Sequence, residues 1–208
     1  MIRPALVAAA ALAALTLAPL APAGAAGAAV PDETAPAPQS YMAQRAALQT
    51  GKAASTMSTL ARPLLRVPFR CGENWSGASR SGHSPSYYAV DLNWGSGTAD
   101  LGKPVIASDS GTVVRSAYDA GGYGNYIELA HGDGWHTLYA HLQSRGVAVN
   151  DHVAVNQQIG RVGDTGNVTG PHLHYEQIHD GAVVPALFGT STWVAYPGPA
   201  TYSRARDC

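Results

Sequence analysis

Cysteine is scarce in this 208-residue chain, which contains only Cys71 and Cys208. Neither has the spacing of a metal ligand, so we exclude both from metal binding. In an exported protein a lone pair of cysteines predicts one disulfide, which would stabilise the fold by about 4–5 kcal/mol because it closes a long loop. The alternatives are two free thiols, or a bond from Cys208 to another chain.

Basic residues are also few. From residue 66 onward there are nine lysines and arginines against twelve aspartates and glutamates, a net charge of −3. No basic patch runs through this part of the chain, so we do not expect nucleic acid as a partner.

Long stretches with helical periodicity are lacking from residue 66 onward. Short runs rich in β-branched and aromatic residues alternate there with glycine-containing turns about every ten residues. This pattern predicts an all-β domain and leaves open whether it is a sandwich or a barrel. The predicted strands cover residues 88–93, 104–107, 111–114, 125–129, 135–142, 159–162 and 172–178.

The N-terminus has the features of a secretory signal peptide. Arg3 precedes a long alanine- and leucine-rich run, and small residues follow near Ala26, where we expect cleavage. A membrane anchor is the alternative, but Pro19 and Pro22 interrupt the run and no basic cluster follows it. Residues 1–26 are therefore predicted to direct export, after which no membrane span is expected.

Residues 27–65 are rich in alanine, proline, serine and threonine and contain few large apolar side chains. They are predicted to form a linker, with a short helix possible after Ser40, or a pro-segment that covers the active site until it is removed. Residues 66–208 are long enough to bury one core and form the predicted folded domain.

The segment Gly170–Glu176 contains two histidines two residues apart. Side chains alternate in a strand, so His172 and His174 point to one face while Leu173 and Tyr175 point to the other. Two imidazoles on one face provide half of a metal site, although a His-x-His pair alone is more often structural. Glu176 shares that face and either orients His174 or is solvated.

Three further residues could complete such a site. His83 and Asp91 lie upstream, and His141 lies in the predicted strand 135–142. A catalytic zinc site needs three protein ligands and one open position. If residues 135–141 form one unbroken strand, His141 shares a face with Tyr139, and His136 lies on the opposite face. We therefore do not expect His136 to join His141 at a metal.

These motifs, in this order, resemble those of the lysostaphin-type (LytM-like) zinc endopeptidases, which cut bacterial cell walls. The resemblance covers about residues 66–198. It implies that His83, Asp91 and His174 bind Zn²⁺, and that His141 and His172 act as acid/base and transition-state stabilisers. The family commonly has three residues between the first histidine and the aspartate, whereas His83 and Asp91 enclose seven, so residues 84–88 resemble a loop insertion.

The resemblance also implies a compact, mainly antiparallel sheet crossed by an active-site groove. The implied function is hydrolysis of peptide bonds in peptidoglycan, in a cross-bridge or a stem peptide, by a metal-activated water. We expect a secreted monomer that is extracellular or associated with the wall. The alternative is a non-catalytic domain of the same fold that binds wall material or a partner.

Overall fold

A computed structural model of the chain describes residues 40–50 and 62–204. The predicted signal peptide, most of the predicted linker and Cys208 lie outside the described residues. The amide of Gly72 donates a hydrogen bond of 2.9 Å to the carbonyl oxygen of Arg204, which brings the neighbourhood of Cys71 close to the C-terminal segment. The Cys71–Cys208 disulfide stays a prediction, and this contact favours it.

The described residues form a helix and a series of mostly short strands. In chain order the elements are α1 (Tyr41–Thr50), β1 (Asn74–Ala78), β2 (Val90–Asn93), β3 (Pro104–Ile106), β4 (Gly111–Asp119), β5 (Gly124–Gly132), β6 (Trp135–Arg145), β7 (His152–Val153), β8 (Gln158–Val162), β9 (Leu173–His179), β10 (Ala182–Val184), β11 (Leu187–Phe188), β12 (Thr192–Trp193) and β13 (Ala200–Ser203).

Eleven of these strands form one sheet, and β11 and β12 form a second, two-stranded one. The main path is β13-β1-β2-β9-β6-β5-β4-β7, while β10 pairs with β9, β8 with β6, and β3 with β8. The pairings are antiparallel. The predicted all-β, mainly antiparallel fold is therefore confirmed. Within the described ranges, no helix is long and apolar enough to cross a membrane.

Strand β9 lies between β2 and β6 and separates two apolar clusters. Leu173 and Tyr175 belong to the larger one, together with Leu92 and Tyr139. Ile178, on the opposite side of β9, belongs to a smaller cluster. Because side chains alternate along β9, His174 and Glu176 lie on the same side as Ile178.

Helix α1 packs on the side of the sheet that bears Ile178. The Ser40 hydroxyl accepts a hydrogen bond of 3.0 Å from the amide of Ala43, which caps the helix N-terminus. Met42 is buried in the smaller apolar cluster, and the ring of Tyr41 stacks on Tyr126 with the centroids 5.4 Å apart. The helix is thus packed against the β-domain.

Candidate metal centre

Two of the predicted ligands face each other across neighbouring strands. Asp91 in β2 is the direct cross-strand partner of His174 in β9, so the two side chains emerge on the same side of the sheet. Asp91 Oδ1 lies 3.2 Å from His174 Nδ1. Both side chains are almost completely buried, which an aspartate tolerates only when its charge is matched.

The loop before β2 brings His83 to the same carboxylate. His83 Nδ1 donates a hydrogen bond of 2.9 Å to the carbonyl oxygen of Ala89, and His83 Nε2 lies 3.1 Å from Asp91 Oδ1. Residues 84–88 therefore form a loop that extends away from β2 and returns to it, while His83 stays beside β2. The Ser79 hydroxyl donates to the carbonyl oxygen of Tyr87 and holds this loop. The seven-residue spacing is thus compatible with a shared site.

The three side chains have the donor set that zinc prefers. One atom from each of His83, Asp91 and His174 can be chosen so that all lie within 4.8 Å of one another, and the three residues are buried. Two imidazole nitrogens and one carboxylate oxygen match a catalytic zinc site with one open position. The residues therefore fit a zinc ion held by His83 Nε2, Asp91 Oδ1 and His174 Nδ1.

Each ligand is oriented by a further contact. His174 Nε2 lies 3.0 Å from Glu176 Oε1, which leaves Nδ1 directed at Asp91. Asp91 Oδ2 is 2.8 Å from Nη1 of Arg80, so Oδ1 remains the oxygen that faces the histidines. Arg80 is 66% exposed, and its ion pair therefore orients Asp91 more than it stabilises the fold. Sequence reasoning missed Arg80, because nothing in the local pattern placed its guanidinium beside Asp91.

A bulge in β6 turns His141 towards the site. Regular alternation would place His141 on the side of Tyr139 and Tyr175, away from His174. Instead the β5–β6 register shifts here, and His141 has a φ of 60°. Its ring centroid lies 5.5 Å from that of His174 and 4.8 Å from that of His172. The alternation that a regular strand over residues 135–141 would have is therefore interrupted at His141.

His141 and His172 use the same ring nitrogen to bind the backbone. His141 Nδ1 donates a hydrogen bond of 2.9 Å to the carbonyl oxygen of Thr165, and His172 Nδ1 donates one of 3.0 Å to the carbonyl oxygen of Gly170. The backbone of Thr165 packs directly against Gly124. The approach is so close that a Cβ atom at position 124 would lie 2.3 Å from the Thr165 backbone. With Nδ1 occupied, each ring keeps Nε2 for chemistry, and His172 Nε2 lies 3.5 Å from Asp91 Oδ1.

The electrostatics keep Asp91 ionised and His141 neutral. Burial alone would raise the pKa of Asp91, but hydrogen bonds from His174 and His83 hold this pKa far below its usual value. Burial, together with His174 and His172, lowers the pKa of His141 to about 3, and burial also lowers the pKa of His172. Burial opposes a charge on His174, yet hydrogen bonds to Asp91 and Glu176 raise its pKa to about 9. Binding of a metal at His174 would therefore release a proton.

The other histidines lie apart from this group. As alternation predicts, His136 lies on the side of β6 opposite Tyr139, which is also the side of His174, but its Nδ1 binds Glu128 Oε1 at 2.8 Å. His131 contacts Ser110 and Thr137, His152 is exposed, and the ring of His179 stacks on Trp135. Among the described residues, only His83, Asp91 and His174 form a cluster of potential metal ligands.

Most of the residues of this site lie in a region that matches a known protein family. The model of the family described as Peptidase family M23 matches residues 88–185, a range that contains Asp91, His141, His172 and His174 but not His83. The peptidoglycan DD-endopeptidase ShyC of Vibrio cholerae is 43% identical over 83 residues, which are 40% of this chain and 19% of that protein. The chain spans about a fifth of the length of the first curated relatives it matches.

Two solved structures are also similar. A zinc-containing peptidase from Vibrio cholerae has a TM-score of 0.50 and 25% identity, covering 61% of this chain and 41% of that one. The catalytic domain of the antimicrobial peptidase lysostaphin from Staphylococcus simulans is 31% identical with a TM-score of 0.42, covering 57% of this chain and 79% of that one.

Proposed function

This chain belongs to peptidase family M23, and from that premise we propose that it is a zinc endopeptidase that hydrolyses peptide bonds in bacterial peptidoglycan. Two relatives described as peptidoglycan DD-endopeptidases support the choice of substrate. The bond cleaved would lie in a stem peptide or a cross-bridge.

One observation carries the proposal. The nitrogens of His83 and His174 converge on Asp91 Oδ1, while two further imidazoles stand beside this group with Nε2 available. Three ligands alone could serve a structural metal. A second pair of histidines whose Nδ1 atoms are anchored to the backbone suits proton transfer, which a purely structural or wall-binding domain does not need.

The chain's own residues then have distinct tasks. His83, Asp91 and His174 would hold the zinc ion, which would supply polarisation of the scissile carbonyl and a lowered pKa of water. His141 and His172 are neutral at pH 7 and present an Nε2 lone pair, so either ring can accept a proton from water. A ring that has accepted this proton becomes a donor to the leaving amine or to the developing oxyanion.

Purified full-length protein should release soluble fragments from isolated peptidoglycan and generate new amino groups without new reducing sugar ends. Treatment with 1,10-phenanthroline should abolish this release, because the reaction depends on the metal, and added zinc should restore it. The measurement combines amine labelling with mass spectrometry of the released peptides, which also identifies the bond cleaved.

His141→Ala protein serves as the matched control, because it keeps the proposed ligands. Protein that binds peptidoglycan but releases nothing, with or without zinc, would favour the non-catalytic alternative. New reducing ends would indicate cleavage of the glycan and contradict a peptidase.

We also propose that the chain is exported and oxidised, acting outside the cell or at the wall. Protein recovered from the medium should begin near Ala26, or between about residues 60 and 71 if a pro-segment is removed. An unreduced digest should contain the Cys71 peptide linked to the Cys208 peptide, and reduction should separate them. The measurements are N-terminal sequencing and mass mapping. Recovery of an N-terminal Met1, or of either thiol free, would contradict the corresponding part.

A further inference from the structure

A carboxylate behind the metal centre connects it to helix α1. Glu176 is fully buried and follows His174 by two residues in β9, so both side chains lie on the same side of the sheet. Its Oε1 lies 3.0 Å from His174 Nε2 and accepts a hydrogen bond of 2.6 Å from the Tyr123 hydroxyl. Glu176 therefore holds the nitrogen of His174 that points away from Asp91.

The second oxygen of Glu176 faces the helix. Oε2 lies 3.5 Å from Nη2 of Arg45, and the side chains of both residues are at most 5% exposed. A buried carboxylate without a counter-charge is strongly unfavourable. Arg45 supplies that charge from α1. The helix is attached to the β-domain by a hydrogen bond of 2.9 Å that the backbone amide of Met42 donates to Asp119 Oδ2.

We propose that Glu176 is a positioning residue of the metal centre and that α1, through Arg45, is part of the same unit. Glu176 holds the proton of His174 on Nε2 and so reserves Nδ1 as the metal donor. Arg45, whose Nη2 lies 3.5 Å from Glu176 Oε2, provides a counter-charge on the α1 side of the carboxylate and helps to fix its position. This deepens the function proposed above, since it concerns the same site. Residues 40–46 would then support the active centre, and their removal would weaken metal binding.

Glu128 provides a matched comparison beneath the same helix. It is buried in β5, and its Oε2 accepts a hydrogen bond of 2.8 Å from the Tyr41 hydroxyl. Its hydrogen bonds and ion pairs are with Tyr41, His136 and Arg115, none of which belongs to the metal centre. A change at Glu128 therefore disturbs the packing of α1 without touching His174.

The test uses Glu176→Ala, Glu176→Gln, Arg45→Met and Glu128→Gln in the full chain. Zinc affinity is measured by competition with a chromophoric chelator, and ligand geometry by the visible spectrum of the Co²⁺-loaded protein. Loss of an outer contact of this kind typically weakens metal binding by about 10–100-fold. We expect that loss in Glu176→Ala, a smaller one in Glu176→Gln and Arg45→Met, and none in Glu128→Gln.

A metal-free measurement separates this inference from the proposed function. In the unloaded protein, NMR of ¹⁵N-labelled histidine should show a slowly exchanging proton on His174 Nε2 that is lost in Glu176→Ala. If Glu176→Ala does not fold, Glu176→Gln and Arg45→Met carry the test. Zinc affinity within twofold of the parent in both would overturn the proposal, as would equal losses in Glu128→Gln. If the parent protein binds no zinc, the function fails while the NMR result still decides the role of Glu176.

Discussion

Asp91→Ala protein should contain no measurable zinc, whereas the parent chain should hold one ion. Asp91 is the only acidic residue in the cluster of potential ligands among the described residues, and its Oδ1 is where the ring nitrogens of His83 and His174 converge. Its removal leaves two imidazoles and no negative charge to offset the metal. Because the metal supplies several kcal/mol of transition-state stabilisation, peptidoglycan cleavage should fall by about 10³-fold or more.

Metal analysis after dialysis and the peptide-release assay measure these two losses together. Asp109→Ala is a suitable control, because Asp109 is a partly exposed carboxylate that pairs with Arg66 outside the site. If Asp91→Ala protein retained one tightly bound zinc, the ligand set of His83, Asp91 and His174 would be wrong.

His141→Ala and His172→Ala proteins should keep their zinc and lose nearly all activity. Both side chains border the cluster, and their Nδ1 atoms are held by backbone carbonyl groups, so neither is needed to build the site. Removal of a general acid or base costs about 10²–10⁴ in rate. Loss of support for an oxyanion costs a similar factor.

The relevant measurements are kcat for peptide release, zinc content and a thermal melting curve for each variant. His152→Ala should behave like the parent, because His152 is exposed in β7. Near-normal activity of His141→Ala would move the base elsewhere. Zinc loss in His172→Ala would instead make His172 a ligand and call the role of His83 into question.

The side on which each histidine lies could be predicted only where the strand is regular. His174 and Glu176 follow simple alternation in β9, and the sequence predicts correctly that they share a face. His141 does not follow this alternation, because the bulge in β6 turns its side chain to the opposite side of the sheet. A bulge depends on how two strands pair over their length, so local periodicity does not reveal it.

The position of His83 likewise depends partly on the sequence and partly on the folded structure. Its spacing from Asp91 departs from the pattern of the family it resembles, and sequence alone left open whether it reaches the site. The loop of residues 84–88 returns to β2, and the bond from His83 Nδ1 to Ala89 directs Nε2 at Asp91. That outcome depends on contacts of the folded loop, such as the bond from Ser79 to Tyr87.

The sequence by itself determined the all-β class and the residues from which a metal centre can be built, because turn residues, alternation and motif order are local properties of the chain. Only the tertiary structure decided which ring nitrogen each histidine offers, on which side His141 lies, and that Arg45 of α1 reaches Glu176. These features arise from contacts between segments far apart in sequence. Hydrogen bonds, burial and charge act on those contacts only after the strands have paired.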